Sequence, residues 1–185
     1  MGSSNDDPIK TLDELIELDA AAIKAYEVAI EKVAEADLEV REDLESFKAD
    51  HVQHIRDLTR VVEALGGEAE QTSRDLTGMF LEGMTMLRTV AGTVGILRAM
   101  RLNERVTNRL YDRAAEVTVP PLAAVVIMQN LDDQRRHLAV IDRHIVRLVG
   151  EDAAITRDEL TFDEEVRDER IPRDVPSDLG ARPAV

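Results

Sequence analysis

Apolar side chains recur at intervals of three and four through most of this chain, the period that lines up one face of an α-helix. Leu12, Leu15, Asp19, Ala22, Tyr26, Ala29 and Val33 trace the first such face, which a carboxylate interrupts. Before it, Asp7-Pro8 has the form of an N-cap followed by proline at the first helical position, and Thr11 and Glu14 repeat the capping-box spacing nearby. The pattern predicts a helix to about Glu35 and a short turn near Asp37. A second face reads Leu44, Phe47, His51, His54, Leu58, Val61 and Leu65, and Gly66-Gly67 supplies its stop. Two long helices joined by a short turn are antiparallel neighbours.

The later chain repeats this arrangement. Val90, Val94, Leu97, Glu104 and Tyr111 share a face of a helix ending near Val117, and Pro120-Pro121 mark the next start. The last helix carries Ile127, Leu131, Gln134, Leu138, Ile141, Ile145 and Leu148 and stops at Gly150. Two successive hairpins predict an all-α four-helix bundle over residues 1–150. Between Gly67 and Val90 the chain is longer than a tight turn needs. That length predicts a partly helical crossover, from about Thr72 to Leu87, that leaves helices two and three parallel. Gly92 and Gly95 are places for a bend, and one very long third helix is the alternative.

Composition narrows the chemistry. Lys and Arg number 23 against 38 Asp and Glu, a net charge of −15, which repels nucleic acid and anionic lipid. Cysteine is absent, so disulfides, thiolate metal sites and cysteine nucleophiles are excluded. Aromatic residues make up only 3 % and tryptophan is absent, as suits packed helices better than sheets. The N-terminus has no apolar signal segment, and the longest apolar run, Leu122 to Met128, is too short to span a bilayer. A cytoplasmic protein is expected. Residues 151–185 hold eleven acidic and five basic residues and three of the six prolines. They read as an acidic, mostly flexible tail with a short helix from Arg157 to Glu169, nothing stable from Ile171 onward, and room for an unidentified partner.

The polar residues on the inward faces are the informative ones, because burial costs them hydration unless they are paired or bound to metal. They are Asp19, His51, His54, Glu104 and Gln134, with His137 at the edge of the same stripe. Asp19 lies 18 residues before Asp37, and His51 and His54 lie 14 and 17 after it. Glu104 lies 15 before Val119, and Gln134 and His137 lie 15 and 18 after it. At about 1.5 Å of rise per residue, both hairpins bring these groups to one level within about a turn. Tyr26 and Tyr111 each follow a carboxylate by seven residues, on the same stripe. They read as core tyrosines whose hydroxyls reach a carboxylate.

This layer resembles the site of the ferritin-like superfamily, in which two helices each give one carboxylate and two give a Glu-x-x-His pair. The carboxylate-to-tyrosine spacing is similar to that of the first helix of bacterioferritins, and here it occurs twice. The run LDELIELDAAAIKAYEVAIEKV, Leu65-Gly66-Gly67 and Asn103-Glu104 with Tyr111 resemble more closely a bacterial ferritin-like family known only as a domain of unknown function. The resemblance implies a core metal site, with Asp19 and Glu104 as single carboxylates and His54 and His137 as the histidines. His51 and Gln134 stand where that superfamily has bridging glutamates. Asp50 and Asp133, one residue earlier, flank the seam and are candidate substitutes. A single ion held by Asp19, Glu104, His51, His54 and His137 is the simpler chemistry, and imidazole with carboxylate suits iron, zinc, manganese or copper.

The expected function is therefore metal binding in the bundle core, with iron or peroxide handling as an oxidase-type activity implied by resemblance alone. No organic cofactor, nucleic-acid partner or membrane partner is expected; a homo-oligomer, most simply a dimer, is. The competing reading is a metal-free interaction protein whose polar layer is held by salt bridges, with Arg101 or Arg98 neutralising Glu104. His144 reads as a surface residue on a flanking stripe, and Arg135-Arg136 as a solvated face compensated by Asp132-Asp133.

Overall fold

Asp7 opens the first helix as its spacing implies. Its side chain accepts a hydrogen bond from the Ile9 N–H at 3.0 Å, and Pro8 begins the helix. In the computed structural model, which describes residues 7–68 and 87–150, α1 spans Pro8–Lys32, α2 Leu38–Ala64, α3 Gly92–Glu116 and α4 Pro121–Val149. No strand occurs among the described residues, and the protein is an all-α helical bundle.

At the end of α2 the Gly66 N–H reaches the Glu63 carbonyl and the Gly67 N–H the Val62 carbonyl, both at 3.0 Å. This paired closure needs a left-handed residue, and Gly66 supplies it with φ of 84°. Gly67 then sits against Ile9, which places the end of α2 beside the start of α1.

Helix directions follow from which side chains meet. Tyr26 of α1 reaches Glu104 of α3, whereas Asp19, earlier on α1, is reached by Tyr111, later on α3. These two helices are therefore antiparallel. Asp50 with His137 and Asp43 with His144 give the same answer for α2 and α4. Because α1 is antiparallel to both α2 and α3, those two are parallel. A chain leaving α2 must travel back along the bundle, about 40 Å for a helix of this length, before α3 can begin. The linking residues expected to do so, including Met79, Met84 and Met86, lie outside the described residues over 69–86.

The third helix is not one long rod. Residues 87–89 are helical, Val90 and Ala91 leave the helix, and Gly92 starts α3 with φ of 74°. The Thr93 hydroxyl donates to Asp37 and accepts from the Ala34 N–H, fixing this start against the α1–α2 turn. No described helix is long and apolar enough to cross a membrane. The expected helix at 157–169 and the irregular run after it lie outside the described residues.

Two apolar clusters fill the interior. One gathers Ala29, Val40, Leu44, Leu97, Met100 and Ile141 among others. The other holds Leu12, Leu15, Leu58, Val61, Ile127 and Leu131. Along every helix the polar level falls between them. Two stripes are rotated from the expected ones. On α3 Thr93 and Ile96 are buried while Val94 is half-buried, and on α4 the face turns from Gln134 to His137, Ile141 and His144, leaving Leu148 exposed. His137 and His144 stand one residue before Leu138 and Ile145, and the inward face of α4 takes in this adjacent row, so His144 is buried instead of at the surface.

A Cβ on Gly66 would meet nothing within 4 Å, so its replacement tests backbone conformation alone. We expect Gly66→Ala to cost about 1 kcal/mol, read as a lowered urea midpoint with an unchanged slope.

Candidate metal centre

All four helices deliver polar groups to one level of the core. α1 supplies Asp19, α2 His51 and His54 one turn apart, α3 Glu104, and α4 Gln134 and His137 one turn apart. None is more than 2 % exposed. The six residues singled out by sequence are thus brought together. Five of them, all but Gln134, form two groups of possible metal ligands rather than one: Asp19, His51 and His54, and His51, Glu104 and His137. Within each, the candidate ligand atoms lie within 4.8 Å of one another.

Hydrogen bonding fixes the direction of each ring. His54 Nε2 faces Asp133 Oδ2 at 3.3 Å, and His137 Nε2 faces Asp50 Oδ2 at 3.0 Å, both across the α2–α4 contact. Asp50 and Asp133 therefore do not turn inward as substitute ligands. They hold the outer nitrogens of the histidine on the opposite helix and leave each Nδ1 facing the core. A carboxylate behind the far nitrogen is the usual orienting partner of a metal-binding histidine. Arg136 ties the two carboxylates together, with Nη2 at 2.8 Å from each.

The tyrosines are exchanged between helices. Tyr26 Oη donates to Glu104 Oε1 and Tyr111 Oη to Asp19 Oδ2, each at 2.6 Å. Each phenol thus serves the carboxylate of the partner helix. Burial, and next the adjacent carboxylate, pushes both phenols well above the ordinary tyrosine range, so both stay protonated donors.

Charge in the layer is uneven. Burial alone would raise the Asp19 carboxyl, but His51 and His54 outweigh it and hold Asp19 below its ordinary value. Burial alone would lower His51, yet Asp19 at 2.8 Å and Glu104 at 3.7 Å raise it to about 9. For His137 burial wins over Asp50 and Glu104, and its pKa is lowered. Asp50 is held at about 2: His137 and Arg136 together overcome the opposing effect of its burial.

One part of this level is satisfied and another is not. Asp19 takes hydrogen bonds from His51 and Tyr111. By contrast His51 Nε2, Glu104 Oε2, His137 Nδ1 and Gln134 Oε1 are buried with no hydrogen-bond partner. Each such atom costs about 1–3 kcal/mol in a dry interior. Three of them belong to one ligand group, with Glu104 Oε2 at 3.8 Å from His137 Nδ1. Two nitrogens and a carboxylate oxygen converging without partners are the donor set for a divalent transition metal.

Two contributors were not foreseen. Asn108 donates to the carbonyls of Glu104 and Gln134, and Asn130 donates to Tyr111 Oη. Each lies four residues from a layer residue, Asn108 after Glu104 and Asn130 before Gln134, and that spacing was their signal. Buried Arg101 reaches Asp142 at 3.2 Å. His144 is also buried, against Asp43 at 2.7 Å. Arg135 reaches Asp112 as well as Asp132, so that surface is tied to α3.

We expect Tyr26→Phe or Tyr111→Phe to cost the metal-free protein about 2 kcal/mol, because each removes a hydrogen bond from a buried carboxylate. Urea denaturation of chelator-treated protein measures this.

No curated protein and no solved structure matches the chain. A family known only as a domain of unknown function, DUF2383, matches residues 7–117. The match takes in α1, α2 and α3, and with them Asp19, His51, His54, Glu104 and both tyrosines, while Gln134 and His137 follow it on α4. On that match, which covers more than half of its length, the chain belongs to the DUF2383 family.

Proposed function

We propose that this protein binds a transition metal, iron foremost, in the core of a ferritin-like bundle, and that it serves in iron or peroxide handling. The observation that carries this is the convergence of His51 Nε2, Glu104 Oε2 and His137 Nδ1, buried and without hydrogen-bond partners. His137 is already oriented by Asp50 as a ligand would be. Parallel second and third helices, each hairpin giving one carboxylate and a histidine, support the ferritin-like reading. The nitrogen and oxygen donors suit iron, zinc or manganese and disfavour soft monovalent ions. Three protein donors leave coordination positions for water, dioxygen or peroxide, the arrangement of a reactive rather than a sealed site.

The test is elemental analysis of tag-free protein followed by anaerobic Fe(II) titration. We expect near-stoichiometric metal, a raised Tm, and loss of both in Glu104→Ala and His137→Ala. Asp50→Asn should weaken binding by about 10–100-fold without removing a ligand. Absence of binding in the unaltered protein would overturn the proposal.

The competing reading, a metal-free interaction protein, has one observation in its favour. Leu122, Val125 and Met128 stand exposed at 54, 54 and 45 % along α4. Contiguous apolar surface of this kind suits self-association, most simply as a dimer. We expect Val125→Glu to shift the protein toward monomer in sedimentation if this face is used, with metal content unchanged.

A further inference from the structure

We propose that His51 bridges two metal ions, one through each ring nitrogen, so that the core holds a dinuclear imidazolate-linked centre. The inference rests on the metal-binding reading above and specifies how many ions that site takes and what joins them.

The two ligand groups have His51 as their sole common member. Its nitrogens face different groups. Nδ1 lies 2.8 Å from Asp19 Oδ1, and the same oxygen lies 3.7 Å from His54 Nδ1. Nε2 lies 3.7 Å from Glu104 Oε1, whose carboxylate lies 3.8 Å from His137 Nδ1. The lone pairs of the two nitrogens diverge across the ring, so one ion cannot use both. With bonds of about 2.0–2.1 Å, ions on the two nitrogens stand roughly 6 Å apart, too far for a bridging carboxylate to join them as in a closely spaced pair.

The surroundings are duplicated to match. His51 sits between the other two rings, with centroids 5.6 Å from His54 and 5.4 Å from His137. Each half then has one carboxylate held by a phenol from the partner helix, and one terminal histidine held by an outer aspartate. Asp19, Tyr111, His54 and Asp133 make one half; Glu104, Tyr26, His137 and Asp50 make the other. The bridging position breaks the symmetry, because Gln134 replaces a second ring on α4 and its Nε2 lies 3.2 Å from His54 Nδ1, whereas His137 Nδ1 has no hydrogen-bond partner. Gln134 Oε1 is buried without a partner in the same layer. On bridging, His51 releases its ring protons to solvent and both nitrogen lone pairs form metal bonds. The imidazolate and two carboxylates then offset three of the four positive charges of two divalent ions.

Copper(II) added to metal-free full-length protein tests this, because a bridging imidazolate couples two copper spins. We expect two ions per chain, with most of the integrated electron paramagnetic resonance signal disappearing between the first and second equivalents. His54→Gln should reduce the stoichiometry from two to one and restore an undiminished signal from the remaining ion. His51→Gln should bind copper more weakly and show all of it in the spectrum, with circular dichroism confirming the helical fold. A single ion per chain, or two ions with undiminished signal, would overturn the bridge and leave metal binding standing. No copper binding at all would overturn both.

Discussion

Asp19 and Glu104 are carboxylates placed at the middle of a helical bundle, and the rest of the layer answers to that placement. A bare carboxylate there would be neutralised or would open the core to water. Each is instead given a phenol from the opposite helix, and both lie next to His51, whose proton they stabilise. The exchange of phenols has a mechanical side. α1 and α3 are far apart in sequence, yet sliding one past the other by a single turn breaks both bonds together. The same contacts that keep the charges tolerable hold the helices in register.

Much of this was written in the periodicity. Asp19, His51, His54 and Glu104 interrupt apolar faces that are otherwise continuous, and counting from the turns sets them at one depth. The hairpins, the break before Gly92 and the need for a long return between α2 and α3 follow from turn residues and segment length. What the pattern could not resolve was rotation. A heptad reading carried Leu148 inward and His144 outward, whereas Leu148 is exposed and His144 is buried beside Ile145. Partner choice was equally hidden: sequence puts Asp50 four residues before His54 and Asp133 four before His137, yet each aspartate pairs with the histidine of the other helix. Spacing describes a helix alone, and these pairs are decided between helices.

The family match adds a boundary. It ends at residue 117, so the site combines a matched part, from α1 to α3, with the two positions on α4 that follow it. Gln134 is the place where the two hairpins differ most in chemistry: where α2 has the imidazole of His51, α4 has an amide, whose Nε2 lies 3.2 Å from His54 Nδ1. A layer with a glutamate on both helices would favour two ions drawn close together. With a single central imidazole, on α2 alone, the two halves of the layer are unequal.

Apolar clusters close the bundle above and below the layer, and phenols occupy its α1–α3 side. The layer reaches water at Asp50 and Asp133, which are 30 and 40 % exposed between α2 and α4. Arg136 lies across that opening, bonded to both aspartates and stacked over Phe47 at 5.9 Å. On the proposed metal-binding reading, an ion arriving from solvent on this side would meet the guanidinium of Arg136 before it meets a ligand. To pass, it would need Arg136 to release both aspartates, which uncovers two carboxylates on the path of a cation.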